Sequence, residues 1–271
     1  MTGLTIEQTP AGWSPGAHQY AEVFAPFTGA FAADAVELLG IGADDEVLDV
    51  AAGSGAFAIR AAERGATVLA TDFAPGMLDA LQTQVPTTLA SSVRTAVMDG
   101  QALDLERRRF SVAASMFGVI FFPDVAAGLR ELARVTRADG RMAVASWSDD
   151  GPRLSRLVGE AVRRAMPGVA LPTSRAKAEL GTPGGCAATL IEHGWRDVEV
   201  HVLSHDLVVP DPQTFFRSLS EWSAPVRPLT NLLDAAGMDR AADAFADIVA
   251  GSAPEGDRVP FSGLVSIGVP A

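Results

Sequence analysis

One cysteine, one lysine and one tyrosine in 271 residues remove several functions at once. Cys186 has no second cysteine, so neither an internal disulfide nor a cysteine-cluster metal site can form, and it reads as a small helix-packing residue. Tyr20 and Lys177 lie far apart, so the Tyr-x-x-x-Lys pair of short-chain dehydrogenases is missing. Positive charge is scarce: 21 Lys plus Arg stand against 33 Asp plus Glu, for a net charge of −12. Nucleic-acid binding draws on clustered cations, so RNA and DNA are not expected partners. Arg107-Arg108-Arg109 and Arg163-Arg164 read as solvated faces. No apolar run is long enough to cross a bilayer, and the residues from Met1 lack the basic region and apolar centre of a signal peptide. A cytoplasmic protein free of membrane is therefore expected, its oligomeric state open. The 48% of hydrophobic residues suffices for one large core in a single extended domain.

What is present is concentrated in Val47-Leu48-Asp49-Val50-Ala51-Ala52-Gly53-Ser54-Gly55, an apolar strand carrying an acid that runs into a glycine turn. Gly53 and Gly55 permit a tight turn and close backbone approach to a ligand, and Ala56 to Glu63 supplies a helix whose free amides point back at it. The loose dinucleotide pattern G-x-G-x-x-G/A is also satisfied, by Gly53-Ser54-Gly55-Ala56-Phe57-Ala58, which keeps a nicotinamide-dependent oxidoreductase open. Asp49 argues for a different cofactor. A carboxylate at that place repels a pyrophosphate but attracts an ammonium group, such as the one on the methionyl end of S-adenosylmethionine.

Downstream, acids recur at strand ends. Ala66 to Asp72 reads as a second strand, and Asp72 is placed to accept the ribose hydroxyls or, alternatively, to cap the helix that begins near Pro75. Phe73 can pack on an adenine. Met77, Leu78 and Leu81 form one apolar helical face, so Met77 is more a core residue than a cofactor wall. A third strand, Val93 to Met98, ends in Asp99-Gly100-Gln101, with Asp99 a candidate acceptor for the adenine amino group. Phe110 to Phe117 reads as a fourth, which brings Ser115 and Met116 to the same sheet edge.

Together these stretches resemble the class I S-adenosylmethionine-dependent methyltransferases of the ubiquinone/menaquinone-biosynthesis-like type, the methyltransferase type 11 family. The resemblance is strong over residues 18 to 148. Val47 to Ala58, which includes Ala51, resembles the first motif, Thr71 to Met77 the second, and Met98-Asp99-Gly100-Gln101-Ala102-Leu103 the third. Leu132 to Arg141 resembles the family's helix, turn and fifth strand. The resemblance implies an α/β fold: a doubly wound, mostly parallel seven-stranded sheet with flanking helices, and here a helical cap inserted near the C-terminus. It also implies that a tyrosine near Tyr20 reaches the methionyl group, and that Met98, Gly100 and Gln101 join the cofactor contacts.

The rest of the chain is read around that core. Residues 1–27 are expected to form a lid, its stretch Trp13 to Tyr20 breaker-rich and not part of the core. Residues 28–148 form the cofactor-binding core, with Thr28 capping a helix that carries Phe31, Ala35, Leu38 and Leu39 and ends at Gly40. Residues 149–271 form C-terminal strands with a cap insert at about 210–257. Ser148 to Pro152 should break the chain before a helix from Leu154 to Ala165. Val198, Val200 and Val202 alternate as in a half-buried strand. Within the insert, Phe215, Phe216 and Trp222 either line an apolar acceptor or form a stabilising mini-core.

Catalysis is less legible. Methyl transfer to a small-molecule acceptor, in secondary metabolism, is expected to run by positioning, with a protein base optional. His18, His193, His201 and His205 are the possible bases. His18 is the least unfavourable because it precedes Tyr20, His193 sits at a helix end, and His201 and His205 share a strand face that can be solvent. No metal cluster is present, and Phe121-Phe122-Pro123-Asp124 does not fit the loop of nucleobase amino-methyltransferases. Two alternatives stay open: an S-adenosylmethionine-binding protein that cyclises or regulates, and the nicotinamide-dependent oxidoreductase. Replacing Trp222 is expected to disturb the acceptor and spare the cofactor.

Overall fold

A computed structural model describes residues 4–150, 153–171, 178–252 and 256–271. Lys177, the start of the chain and the Gly151-Pro152 part of the expected break lie outside the described residues. In chain order the elements are α1 (Pro10–Trp13), α2 (Ala17–Val23), α3 (Ala25–Leu39), β1 (Glu46–Val50), α4 (Ala56–Glu63), β2 (Thr67–Asp72), α5 (Pro75–Gln84), β3 (Val93–Val97), β4 (Phe110–Met116), α6 (Val125–Val135), β5 (Thr136–Trp147), α7 (Leu154–Ala165), α8 (Pro183–Glu192), β6 (Trp195–Val208), α9 (Pro212–Trp222), α10 (Arg227–Thr230), α11 (Ala235–Ser252) and β7 (Arg258–Pro270).

The seven strands form one sheet in the order β3-β2-β1-β4-β5-β7-β6. From β3 to β5 every neighbouring pair is parallel, and β7 runs antiparallel to both β5 and β6. The strand order reverses between β1 and β4, so the carboxyl ends of β1, β2 and β4 open one crevice, the usual ligand position in such sheets. Successive residues of β1 serve opposite faces. Val47 joins a core with Phe31, Phe57 and Phe245 from α3, α4 and α11. Leu48 and Val50 join a second with Leu129, Leu132 and Trp195. Side chains this fully buried each contribute roughly 1.5–3 kcal/mol.

Local chemistry sets the helix starts. Asp124, Thr182 and Asp211 accept amide bonds from Ala127, Gly185 and Thr214 and so cap α6, α8 and α9. Proline occupies the first turn of α5, α8 and α9, where its missing N–H costs nothing.

Several expectations are corrected. Thr28 does not cap α3: the helix begins three residues earlier, and buried Thr28 turns its hydroxyl onto the Ala25 carbonyl at 3.3 Å. Trp13 to Tyr20 is helical, with Ala17 and Ala21 buried against Met77 and Ala80 of α5, so this segment has a small core of its own. No separate turn divides α6 from β5. The strand starts at Thr136, and its pairing with β4 jumps from Phe110–Thr136 to Val112–Arg141, an irregularity that sets Arg137 to Gly140 against Ser111 alone. In β6 the valine alternation fails beyond Val200. Val202 is 58% exposed, whereas Leu203 and Leu207 pack on the α3 side. His205 lies on that covered face, its Nε2 2.6 Å from Asp34 and its ring edge-on to Phe31, so the expected solvent face is an interface with α3.

Candidate active site

At the end of β1 the chain leaves extended geometry abruptly. Ala51 has φ +55°, Gly53 +56° and Gly55 +89°. A Cβ on Gly55 would stand 2.5 Å from Leu81 Cγ, so both the left-handed backbone and the close helix exclude a side chain there. A Cβ on Gly53, by contrast, would point into open space, so the turn leaves room for a ligand on that side.

Two carboxylates converge on this turn. Asp72 Oδ2 accepts from Gly53 N at 2.9 Å and its Oδ1 from Ala74 N at 2.9 Å. Neither bond caps α5, whose N-cap is Ala74, so the capping alternative gives way to a brace between the β1 and β2 turns. Asp49 is 1% exposed: its Oδ2 accepts from Ala58 N at 3.1 Å, while its Oδ1 has no partner. Burial pushes the Asp49 carboxyl up to about 8 against the pull of the Ala58 amide, and the nearby charge of Asp72 adds to the rise. Burial likewise lifts Asp72 to about 6, held down by the amides of Ala74, Gly53 and Phe73.

A buried acid with one empty oxygen fits a ligand that brings a cationic or hydrogen-bonding group to it, because a buried carboxylate without such a partner is costly. Asp49, the Gly53 side of the turn and Asp72 are thus a donor and acceptor set that suits a nucleoside joined to an amino-acid end.

The remaining expected contacts separate into groups. Phe73 and Tyr20 are half-buried beside Ala17, Ala74 and Met77, and Met77 is core. Burial raises the Tyr20 phenol above its usual range, with Thr28 opposing the rise and the charge of Asp72 adding to it. Ser54 is buried in the turn. Asp99 is exposed and engaged by Gln101, whose amide N and side chain both donate to its Oδ1 at 2.9 Å. Met98 packs partly into the second core and Gly100 is buried. Ser115 is fully buried and accepts from Val119 N at 3.1 Å, so its hydroxyl holds the turn after β4; Met116 is half-buried beside it.

Several residues at this rim carried no sequence signal beyond an aromatic run. Phe117 has φ +59° and stacks on Trp147 at 4.0 Å, a strained residue at the end of β4 matching Ala51 at the end of β1. Phe121 meets Trp13 edge to face at 5.2 Å. Phe216 lies in a mini-core with Phe245, whereas Trp222 stands 6.0 Å from Tyr20 and 5.4 Å from Phe24. Phe215 touches both Trp222 and Phe245. His18 sits on the exposed face of α2, and His193 is the C-cap residue of α8. Among the described residues no group of three or more His, Cys, Asp or Glu is placed to hold a metal, and no helix is long and apolar enough to cross a membrane.

The family model described as a methyltransferase domain matches residues 47–140, from the first strand of the crevice through the irregularity in β5. Over these residues, about a third of the chain, the sequence is similar to that family. Demethylmenaquinone methyltransferase of Mycobacterium sp. (strain JLS) is 37% identical to the chain over 134 residues, which cover 49% of this chain and 55% of the relative. An uncharacterised protein of Mycobacterium bovis is 39% identical over 116 residues, 43% of this chain and 42% of the relative. The chain thus matches about half the length of these curated relatives.

Solved structures extend the likeness beyond the methyltransferase domain. Phosphoethanolamine N-methyltransferase 2 of Haemonchus contortus superposes with TM-score 0.55 at 14% identity, over 89% of this chain and 52% of that one. The (4+2)-cyclase SpnF superposes with TM-score 0.52 at 14% identity, over 90% and 82%. At such identities the likeness concerns the fold alone.

Proposed function

We propose that this protein binds S-adenosylmethionine in the crevice between β1, β2 and β4 and transfers its methyl group to a small organic acceptor in secondary metabolism. The unpartnered Oδ1 of buried Asp49 carries this reading, since a buried carboxyl oxygen without a partner suits the methionyl ammonium group. Asp72 holds the ribose edge and Phe73 the adenine, with Asp99 at its amino group. Ser115 and Met116 border the sulfur end, and Tyr20 covers the methionyl group.

Held there by Asp49, Asp72 and Phe73, S-adenosylmethionine would supply a methyl group on a positively charged sulfur to the acceptor's lone pair or π electrons, the carbon–sulfur bond breaking as the new bond forms, with S-adenosylhomocysteine and a proton as the products. The chain's own part is positioning and exclusion of water. Trp13, Tyr20, Phe24 and Trp222 make a contiguous aromatic cover at the rim, suited to keep the reactants dry and aligned. Positioning of this kind supplies up to ~7–11 kcal/mol in favourable systems, so a base is optional for an amine or an electron-rich carbon, while a hydroxyl acceptor needs deprotonation. His18 points to solvent and is not assigned that role. Phe215 and Trp222 are assigned to the acceptor side, and Phe216 to the interior of the insert.

A ligand panel tests the reading. S-adenosylmethionine and S-adenosylhomocysteine should raise the melting temperature, and NAD and NADP should not; at a hundredfold excess over Kd the gain is ~2.7 kcal/mol. Radiolabelled methyl transfer to a panel of small apolar acceptors, with a quinol of the demethylmenaquinone kind included, then reads the reaction. Stabilisation by NAD alone overturns the proposal, and binding without transfer across the panel would move it to a non-methylating role.

A further inference from the structure

The N-terminal helices are moored on both sides of the crevice, and each mooring depends on a missing side chain. On the cofactor side, Ser14 Oγ accepts from Gly76 N at 3.2 Å, and a Cβ on Gly76 would stand 2.6 Å from the Ser14 carbonyl oxygen. On the other side, a Cβ on Gly16 would stand 2.4 Å from Trp222 Cα and 2.5 Å from the Glu221 carbonyl oxygen, backbone atoms of α9 in the insert. Gly16 has φ −100°, which any residue adopts, so what this position requires is the close approach and not a special backbone. Between the two moorings, Trp13 reaches Phe121 beyond β4 and Tyr20 reaches Trp222. Residues 13 to 20 therefore join three places far apart in sequence: the helix after β2, the turn after β4 and the C-terminal insert.

We infer that the insert sets how tightly the cofactor is held, with Trp222 and the α9 backbone acting as positioning elements through Gly16 and Tyr20. This rests on the reading of the crevice as the S-adenosylmethionine site. A ligand under residues 13–20 leaves only when that segment lifts, and lifting breaks the contact with α9 as well as that with Gly76. By linkage, a ligand that packs on the insert and steadies α9 also tightens cofactor binding, and the cofactor tightens that ligand by the same factor. On this inference Trp222 serves the cofactor as well as the acceptor.

Stopped-flow displacement of S-adenosylhomocysteine decides it. Gly16→Ala and Gly76→Ala each press a methyl group against backbone across one mooring, and each should speed dissociation by about tenfold, equivalent to ~1.4 kcal/mol. Far-UV circular dichroism should be unchanged, and proteolysis within residues 4 to 24 should be faster. Trp222→Phe should give a smaller acceleration than Trp222→Ala, a graded rescue that a purely structural role does not predict. Phe216→Leu, in the same insert but away from the lid, should lower the melting temperature and leave the off-rate alone. Folded Gly16→Ala and Trp222→Phe proteins with the wild-type off-rate overturn the inference while the site assignment stands. A wild-type protein that binds no S-adenosylhomocysteine overturns the site assignment itself, and the coupling with it.

Discussion

Asp72 and Gly53, 19 positions apart, share a hydrogen bond of 2.9 Å that ties the end of β2 to the turn after β1. The acid expected to hold a ribose thus also fixes the geometry of the turn that approaches the cofactor. Its second oxygen does the same for Ala74, so one side chain links two consecutive βα turns.

Asp72→Ala should therefore weaken cofactor binding and lower stability together. Two amides lose their acceptor, each costing about 1–3 kcal/mol where water cannot replace it, partly offset by relief of a buried carboxylate. Binding should fall by at least about tenfold, and calorimetric titration alongside thermal melts reads both. Unchanged melting would show that solvent reaches Gly53 and Ala74 freely.

Asp49 gives the pH dependence its sign. Its folded carboxyl is pushed from an ordinary 3.8 up to about 8, so the folded ligand-free protein keeps a proton that the unfolded chain gives up. Unfolding then releases a proton, and rising pH favours it between about 4 and 8, after which the effect levels off. Asp72, lifted to about 6, acts in the same direction over a narrower window. Asp49→Asn keeps an acceptor for Ala58 and carries no charge, so it should melt above the wild type at pH 8 and close to it at pH 4. The same variant should lose stabilisation by S-adenosylmethionine. A melting difference that is flat across this range would remove Asp49 as the titrating group.

Much of this site was legible because its signals are local. A glycine turn after an apolar strand, and acids at the next two strand ends, are set within a few residues by backbone geometry, and α4, β2, α7 and the start of α5 fall where the sequence places them. The long-range partners were not legible. That Asp34 pairs with His205 depends on how α3 crosses β6, which no periodicity encodes. Likewise, Gly16 reads as part of a breaker-rich stretch and Gly76 as part of the second motif, yet each makes room for a distant backbone. The missed start of α3 has a similar cause: Pro26 in its first turn was a better boundary signal than the threonine two residues later.

Gly100 illustrates the difference between touching a cofactor and shaping its wall. A Cβ there would meet Phe122 Cζ at 2.5 Å and Val50 Cγ1 at 2.7 Å. Gly100→Ala should cost ~1–3 kcal/mol through overpacking, with some relief if the Phe122 ring rotates. Cofactor affinity should move less than stability. Paired denaturant melts and binding titrations check this, and a stable variant with weakened binding would make Gly100 a direct cofactor contact.

Phe216 and Trp222 are both buried aromatics of α9, yet their truncations should differ in kinetics. Phe216 is fully buried and meets Phe245 of α11 at 5.4 Å, so it closes the α9–α11 contact and faces no rim. Phe216→Ala removes most of a large side chain from a packed site and should cost ~3–5 kcal/mol. Per folded molecule, the Michaelis constant for an acceptor and the cofactor off-rate should stay at wild-type values, because the cavity opens away from Tyr20. Trp222 keeps its indole N–H on Ser218 Oγ at 3.0 Å and presents its rings to Tyr20 and Phe24, so its truncation should show in kinetics as well as in melting. Kinetics corrected for the folded fraction, measured on both variants at a temperature below either melt, separate the two roles. A raised acceptor Michaelis constant in Phe216→Ala would extend the acceptor wall into the insert's interior.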